Sequence, residues 1–475
     1  MKREWRFMLL CLVVGFIVEN SVFTEQIGVS YSIAVAGFYS LYFYHLKKVP
    51  FTHRQIGGYL FVMIWLLTIS FGIYSNVIFH MFNVLLIPIL IFIHTILLTT
   101  SSKIRWYSSP FLSLLKMKLK QTAEVFKIYT LITKRKAKRN VKEGTYQAGK
   151  KIGVGIIIAA PLLYIIVVLL SSADDQFARI LVQIPELFIE LQTATFLSIF
   201  RILVITLFIF FFLKALVRKT AVTQTIKTES KISWDIIIVS TVLIFINLVY
   251  LLFISVQFQY FFSGELQEGL SYAQYARKGF AELVIVTIIN YMILLATLAF
   301  TKGEHIIIKG LGTLLISCSG VLLASAFVRL MLYEQAYGFT YLRIFAHAFM
   351  IYLFVILIFT LIKLWTPRLS LARFYLIFSL LFYVGMNMMD IDSFIVSKNI
   401  DRYEVSGSID VYYLEHLSYS AVPGLVELYK TDPEIEGLHD MLVRKKVHVE
   451  SRHWKWQSYN LSREQAKRAL EDFNN

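Results

Sequence analysis

The chain has 475 residues, of which 57% are apolar and 16% charged, with a mean hydropathy of +0.64 and a formal net charge of +16. A soluble domain is about half apolar and about one quarter charged, so water is excluded as the main solvent here. The positive charge gathers on alternate connections between apolar runs, which is a topology signal; no nucleic-acid partner is expected.

Lys2, Arg3 and Arg6 precede an apolar run from Phe7 to Val22. No small-residue cleavage site follows, so this reads as a retained first helix that starts inside the cell. Ten further runs have the length of about 20 residues that crosses a hydrocarbon core. They are Ile27–Tyr44, Gly58–Tyr74, Val77–Leu98, Ile152–Leu170, Ala194–Leu213, Trp234–Val256, Gly279–Phe300, Ile306–Tyr333, Tyr341–Ile362 and Phe374–Met389. The expected fold is therefore all-α: a polytopic integral membrane protein of about 11 transmembrane helices with a small helical C-terminal tail. The positive-inside bias places the N-terminus and the connections at Lys47, Lys103–Lys151, Arg218–Lys231, Lys302–Lys309 and Lys363–Arg373 in the cytoplasm. The acidic Asp174–Glu190 connection and the tail then lie outside. Four segments result: helices 1–4 over residues 1–99, a basic cytoplasmic helical segment over 100–151, helices 5–11 over 152–389, and an extracytoplasmic helical tail over 390–475.

Lys103–Lys151 carries 14 basic residues. It reads as helices resting near anionic lipid, each cation contributing about 1 kcal/mol at the surface. Orientation alone demands such a bias, and topology-setting charge is the preferred account. In the tail, Asp410–Lys430 and Leu461–Phe473 have helical spacing. Ser462 with Gln465 predicts a capping box, and Ala421-Val422-Pro423-Gly424 predicts a break. Lacking cysteines and short, the tail is expected to lean on the membrane domain for stability. Cys11 and Cys318 sit in apolar runs and offer neither a disulfide framework nor a metal site.

Inside the spans, Asn247, Asn290 and His94 read as interhelical hydrogen-bonding groups. The small residues Thr313, Ser317, Gly320 and Ala324 form a stripe suited to close helix packing. On the outer face Lys and Arg are scarce: Arg179, Arg201, Arg277, Lys278, Arg329 and Arg343. Ser271 and Gln274 predict a second capping box, opening a helix on which Lys278 and Glu282 share a face. Arg329 shares a face with Tyr333 on the next helix, and Arg343 with His347 on the one after. Short antiparallel links would gather these groups beside Glu334 and Tyr337. Two readings follow. One is a girdle of ion pairs and hydrogen bonds joining three helix ends, with Glu282 neutralising Arg329 or Lys278. The other is an anion-binding site built from Arg277, Lys278, Glu282, Arg329, Tyr333, Arg343 and His347.

Asp174 and Asp175 mark an outer acidic site of the kind a membrane enzyme acting on lipid-linked glycan or phospholipid would use, but adjacent acids without a placed partner are weak evidence. His416, His439, His448 and His453 lack metal-ligand spacing and read as surface residues. No phosphate-binding loop, dinucleotide fingerprint or nucleophile elbow is present. No catalytic residue, metal or cofactor is assigned.

The segment Tyr275-Ala-Arg-Lys-Gly-Phe-Ala-Glu-Leu283 resembles a motif of an uncharacterised bacterial multi-pass membrane family. That family is domain of unknown function four-one-seven-three, related to four-one-five-three. Leu170-Ser-Ser-Ala-Asp174 is similar to its outer-loop element, although Asp175 stands where the family has proline. Arg329 through Tyr333 with Tyr337 through Arg343 is similar to its next helix pair. Asn399-Ile400, Asp410 through Leu414 and Ala421-Val-Pro423 are similar to its tail. The resemblance covers roughly Ile152 to Leu428. It implies a bacterial plasma (inner) membrane location and a polar outer cluster within the family pattern, and it brings no activity. The function expected is a non-enzymatic scaffold, sensor or regulatory component that meets an envelope protein or an anionic ligand outside. A secondary transporter or channel-like protein and the membrane enzyme remain as alternatives.

Overall fold

The computed structural model describes residues 2–23, 27–101, 103–140, scattered positions between 155 and 170, and then 193–218, 234–263, 279–301, 305–451 and 454–473. Among these the regular structure is helical throughout, and the one bridge, Trp234 to Thr301, forms no strand. In a bilayer every backbone polar group must be satisfied internally, which helices do within their own segment.

The chain separates into two compact units, Met1–Gly57 with Ile91–Val222, and Gly58–Leu90 with Thr223–Asn475. In the first unit, α1 (Lys2–Val22) packs against α2 (Ser30–Leu46) and α6 (Thr193–Val217), and α6 also packs against α5 (Ser109–Asn140). Gly15 permits the close approach of α1 to α6, since a Cβ there would press on the Thr206 hydroxyl and lie 3.2 Å from the Ile202 carbonyl. Glu19, buried in α1, pairs with Arg201 at 2.7 Å. Arg201, one of the cations expected on the outer face, is thereby paired inside its own unit. At the opposite end, the buried Lys118 of α5 donates to the carbonyls of Ala215 (3.1 Å) and Arg218 (2.9 Å), capping α6 where the helix dipole is negative. Tyr39 of α2 and His94 of α4 (Val77–Thr99) share a hydrogen bond of 2.9 Å.

In the second unit, α9 (Ile306–Tyr337) packs against α7 (Ile236–Ser263), α8 (Phe280–Phe300) and α10 (Tyr341–Trp365). The core here comprises Leu243, Leu283, Leu294, Leu315, Leu330, Met350 and their neighbours. Polar groups inside it bond to neighbouring helices: Tyr250 donates to Asn290 (2.6 Å), Asn290 to Ser319 (3.0 Å), and Asn247 Nδ2 to the Leu311 carbonyl (3.1 Å), while Asn247 Oδ1 is buried without a hydrogen-bond partner. The small-residue stripe does not make the close contacts. Ser317 and Ala324 are exposed and nothing lies within 4 Å of a Cβ at Gly320. Gly312 does that work instead, with Leu364 3.1 Å and Leu294 3.4 Å from its Cβ position.

Among the described residues eight helices are long and apolar enough to cross a bilayer, or nine if the bent pair α11 (Leu371–Asn387) and α12 (Ile391–Ser406), which turn by 63°, makes one span. The expected count of eleven is not confirmed among the described residues. α2 is a helix of only 17 residues, and the run at 152–170 lies mostly outside the described residues. The chain is an all-α, multi-pass membrane protein.

After the bend, Asp390 caps α12 by accepting from the Ser393 backbone N–H at 3.2 Å. The tail continues through α13 (Val411–Glu415), α14 (Val422–Thr431), α15 (Leu438–Glu450) and α16 (Leu461–Asp472). Its buried apolar residues, among them Ile395, Val422, Leu425, Leu438, Met441 and Leu470, join one core with Phe79 and Ile344 of the long helices. The expected break occurs earlier than the proline: α13 ends at Glu415, and Pro423 stands in the first turn of α14, where its missing N–H costs nothing. The expected capping box is replaced as well. Asn460 caps α16, accepting from Arg463 N–H at 3.3 Å, while Ser462 donates to the Ile73 carbonyl at 2.7 Å.

Candidate functional site

Two groups of polar residues sit at the same ends of the long helices of the second unit, at the α9–α10 turn and under the tail. The first contains the described members of the expected outer cluster. Gly338 ends α9 with φ +82° and ψ 178°, a conformation open essentially only to glycine, and Thr340 precedes α10. Across this tight turn Arg343 reaches back and donates to the carbonyls of Tyr337, at 3.1 Å, and Gly338. Its guanidinium lies 4.3 Å from the centre of the Tyr333 ring, which in turn contacts Tyr337 at 4.9 Å. A cation over an aromatic face and against the last carbonyls of a helix is favoured on both counts. Glu334, buried on α9, pairs with His347 Nδ1 at 3.0 Å. His347 also sits edge-on to Phe327, their ring centres 4.4 Å apart.

Arg329 is buried against the start of α8, where its Nη1 lies 2.6 Å from the Cβ position of Gly279; that glycine has φ +96°. Glu282, in the first turn of α8, is exposed. The carboxylate that the described residues bring into the cluster is Glu334, and Glu334 meets His347. Tyr333 and Arg343 come together, as do Glu334 and His347. Arg277, Lys278, Asp174, Asp175 and the Ser271–Gln274 capping box lie outside the described residues. The described tail histidines His416, His439 and His448 are exposed; His453 is outside the described residues.

The second group was not singled out from sequence. Asp392, buried at 1% exposure, accepts hydrogen bonds from the Tyr341 hydroxyl, from Asn76 Nδ2 (3.3 Å) and from the Ser418 backbone N–H (3.0 Å). Asn76 also donates to the Tyr341 hydroxyl at 3.1 Å, and the Tyr413 hydroxyl accepts from Tyr341 N–H at 2.8 Å. Asp392 thus ties together the α3–α4 link, the start of α10 and two parts of the tail, α3 being Arg54–Ile73. Nearby, Lys445 donates to the carbonyls of Glu415 (2.8 Å) and Leu417 (3.0 Å). Burial holds its pKa below the usual lysine value, although the charges of Glu415 and Asp392 oppose this.

Further joints surround Asp392. Asn399 of α12 bonds both backbone groups of Phe339, and its Oδ1 fills the space a Cβ at Gly338 would need. Asn460 donates to the Phe71 carbonyl at 2.8 Å, in the last turn of α3, and to the Tyr74 carbonyl at 2.5 Å, just past its end. Deeper, Asn83 donates to Asn387 at 2.6 Å and accepts from Tyr383 at 2.7 Å. The one sequence signal for all of this was the acidic pair Asp390 and Asp392 immediately after an apolar run.

Beside this joint an open groove of about 940 Å³ runs between α12 and α14. Val396, Ile400 and Leu428 form its floor, and Asp401, Glu404, Glu427 and Asp432 stand along it with Arg468. Tyr403 is held there by a 2.6 Å hydrogen bond to Asp432.

A family model described as a domain of unknown function, DUF4153, matches residues 61–428. The match begins well before Ile152, where the motif resemblance starts. Searches of the curated proteins and of the solved structures returned no match.

Proposed function

We propose, from the premise that this chain belongs to the DUF4153 family, that it is a non-enzymatic scaffold, sensor or regulatory component of the bacterial plasma membrane. It works through the tail and the helix ends to which the tail is bound. The observation that carries this reading is the Asp392 joint. Burying a carboxyl is costly unless its oxygens meet donors, and Asp392 has three. They come from the tail, the α3–α4 link and the start of α10, so a load or ligand on the tail is felt in the bundle. The charge bias supports a reading in which this face lies outside the cell and the N-terminus in the cytoplasm.

The outer cluster serves this reading as part of the girdle. Arg343, Glu334 and His347 already have partners across the α9–α10 turn. A transporter needs polar groups that face a water-filled path. Asn290 instead spends its hydrogen bonds between helices, with Tyr250 and Ser319. The test compares complementation of a strain lacking the chain, in whatever envelope phenotype the deletion shows. Variants in the tail groove (E404K with E427K) are expected to abolish rescue while N290L retains it. The reverse pattern, with N290L inactive and the groove variants fully active at equal membrane abundance, would refute the scaffold in favour of transport.

A further inference from the structure

The tail holds two tryptophans close together in the chain that serve different ends. Trp454 is folded in: its indole donates to the Val449 carbonyl at 2.9 Å, and the Arg463 guanidinium lies 3.8 Å from its ring centre. Trp456 is 62% exposed, and Tyr459 and Leu461, which follow it, are exposed as well. Their height is set by the residues between and beside them. Asn460, flanked by Tyr459 and Leu461, donates to the Phe71 carbonyl in the last turn of α3 and to the Tyr74 carbonyl just past it. Ser462 donates to the carbonyl of Ile73, the last residue of α3. That helix is long and apolar enough to span a bilayer, so its end marks where a span meets the headgroups. Exposed apolar side chains run up to this level on both helices of the link: Val62 and Ile69 on α3, and Val77, Met81 and Leu85 on α4. Their spacing puts each set on one helix face. Where those stripes stop, the exposed residues become Trp and Tyr, the pair enriched at membrane–water interfaces.

We propose that Trp456, Tyr459 and Leu461 form a lipid-contacting foot, which seats this edge of the tail in the phospholipid headgroups around the α3–α4 link. An indole and a phenol each join an apolar ring to one polar N–H or O–H, and the headgroup layer accommodates both parts at once. Leu461, beside the end of α3, adds aliphatic surface that gains by leaving water. Asn460 and Ser462 hold the segment whether or not lipid is present, so little ordering cost falls on the contact. The leaflet is the occupant because the surface is level with the end of a span and continues in height the exposed stripes of α3 and α4. The foot does not rest on the scaffold reading. Together with the Asp392 joint, it makes the tail responsive to the leaflet as well as to a ligand.

The experiment places the full chain in nanodiscs of phosphatidylglycerol and phosphatidylcholine, with both faces open to the buffer. The fluorescence of Trp456 is read as the difference between wild type and W456F. That difference is expected to be blue-shifted from tryptophan in water. Phosphatidylcholine with a nitroxide on its headgroup should quench it more than phosphatidylcholine with the nitroxide at the acyl terminus. An environment-sensitive fluorophore on Y459C gives an independent reading should W456F fold poorly, since Cys11 and Cys318 are buried. It should show the same order of quenching. Emission at the position of tryptophan in water, quenched by dissolved iodide and by neither lipid, would leave the surface in solvent and overturn the proposal. Quenching by neither lipid nor iodide would mean that protein covers the surface, a second copy of the chain included, and would overturn it equally.

Discussion

Single residues at the tail-bearing helix ends are over-determined by their surroundings. Gly338 combines a backbone conformation that other residues avoid with a Cβ position already filled by Asn399. Gly338→Ala is therefore expected to cost about 1–3 kcal/mol from backbone strain, plus displacement of Asn399. Thermal unfolding in detergent, together with protease accessibility of the tail, would register it. At Asp392 the expectation is graded. Asp392→Ala leaves the Tyr341, Asn76 and Ser418 donors without their acceptor, at about 1–3 kcal/mol for each group left unsatisfied. Asp392→Asn keeps one acceptor oxygen and should fall between Ala and wild type; an Asn variant less stable than Ala would contradict this account. Arg343 was legible in sequence as an unusual outer cation. Its use was not, because the carbonyls it meets are those of Tyr337 and Gly338, backbone groups that look alike in every sequence. Glu334 and His347 were noticed beside the cluster, but that they pair with each other depends on how the two helices rotate.

At the scale of elements, hydropathy located the long helices closely; Val77–Leu98 and Gly279–Phe300 match α4 and α8 almost residue for residue. Caps and faces were harder. Ser462 looked like a cap, but its hydroxyl is better used on the open carbonyl of Ile73, and Asn460 takes the cap. The stripe through Thr313 and Gly320 looked like a packing face, yet Gly312 and Ser319 meet the neighbours, because a helix apolar all round carries no internal mark of which side faces protein. The α5–α6 contact yields a pH-dependent expectation. Burial pushes the pKa of Lys118 down to about 8. The unfolded chain, with an ordinary lysine value near 10.4, then binds more protons than the folded one between about pH 8 and that value. The contribution of Lys118 to stability therefore rises with pH through this window and is flat below it. The melting-temperature difference between wild type and Lys118→Met should grow in favour of wild type from pH 7 to pH 9.5. A difference that shrinks would mean the α6 carbonyls hold the lysine charged.

At the scale of the molecule, the tail and the second unit's helix ends share one apolar core. Phe79 and Ile344 pack with Ile395, Val422 and Leu438, and the terminal carbonyls of α3 are satisfied by Asn460 and Ser462. A chain ending at Met389 is thus expected to expose Phe79 and Ile344 and to leave those carbonyls unpaired. It should show a lower melting temperature and a broader size-exclusion profile in detergent than the full chain; an unchanged profile would mean the tail is an independent appendage. By itself the sequence determined the solvent, the helical class, the approximate spans and a tail that leans on the membrane domain. Those properties follow from local composition: runs of apolar side chains about 20 residues long, and charges too costly to place between them. Only the tertiary structure decided that Asp392 is the joint and that Glu334 pairs with His347. Those depend on the rotation and pairing of helices far apart in the chain, and hydropathy is blind to rotation when every face is apolar.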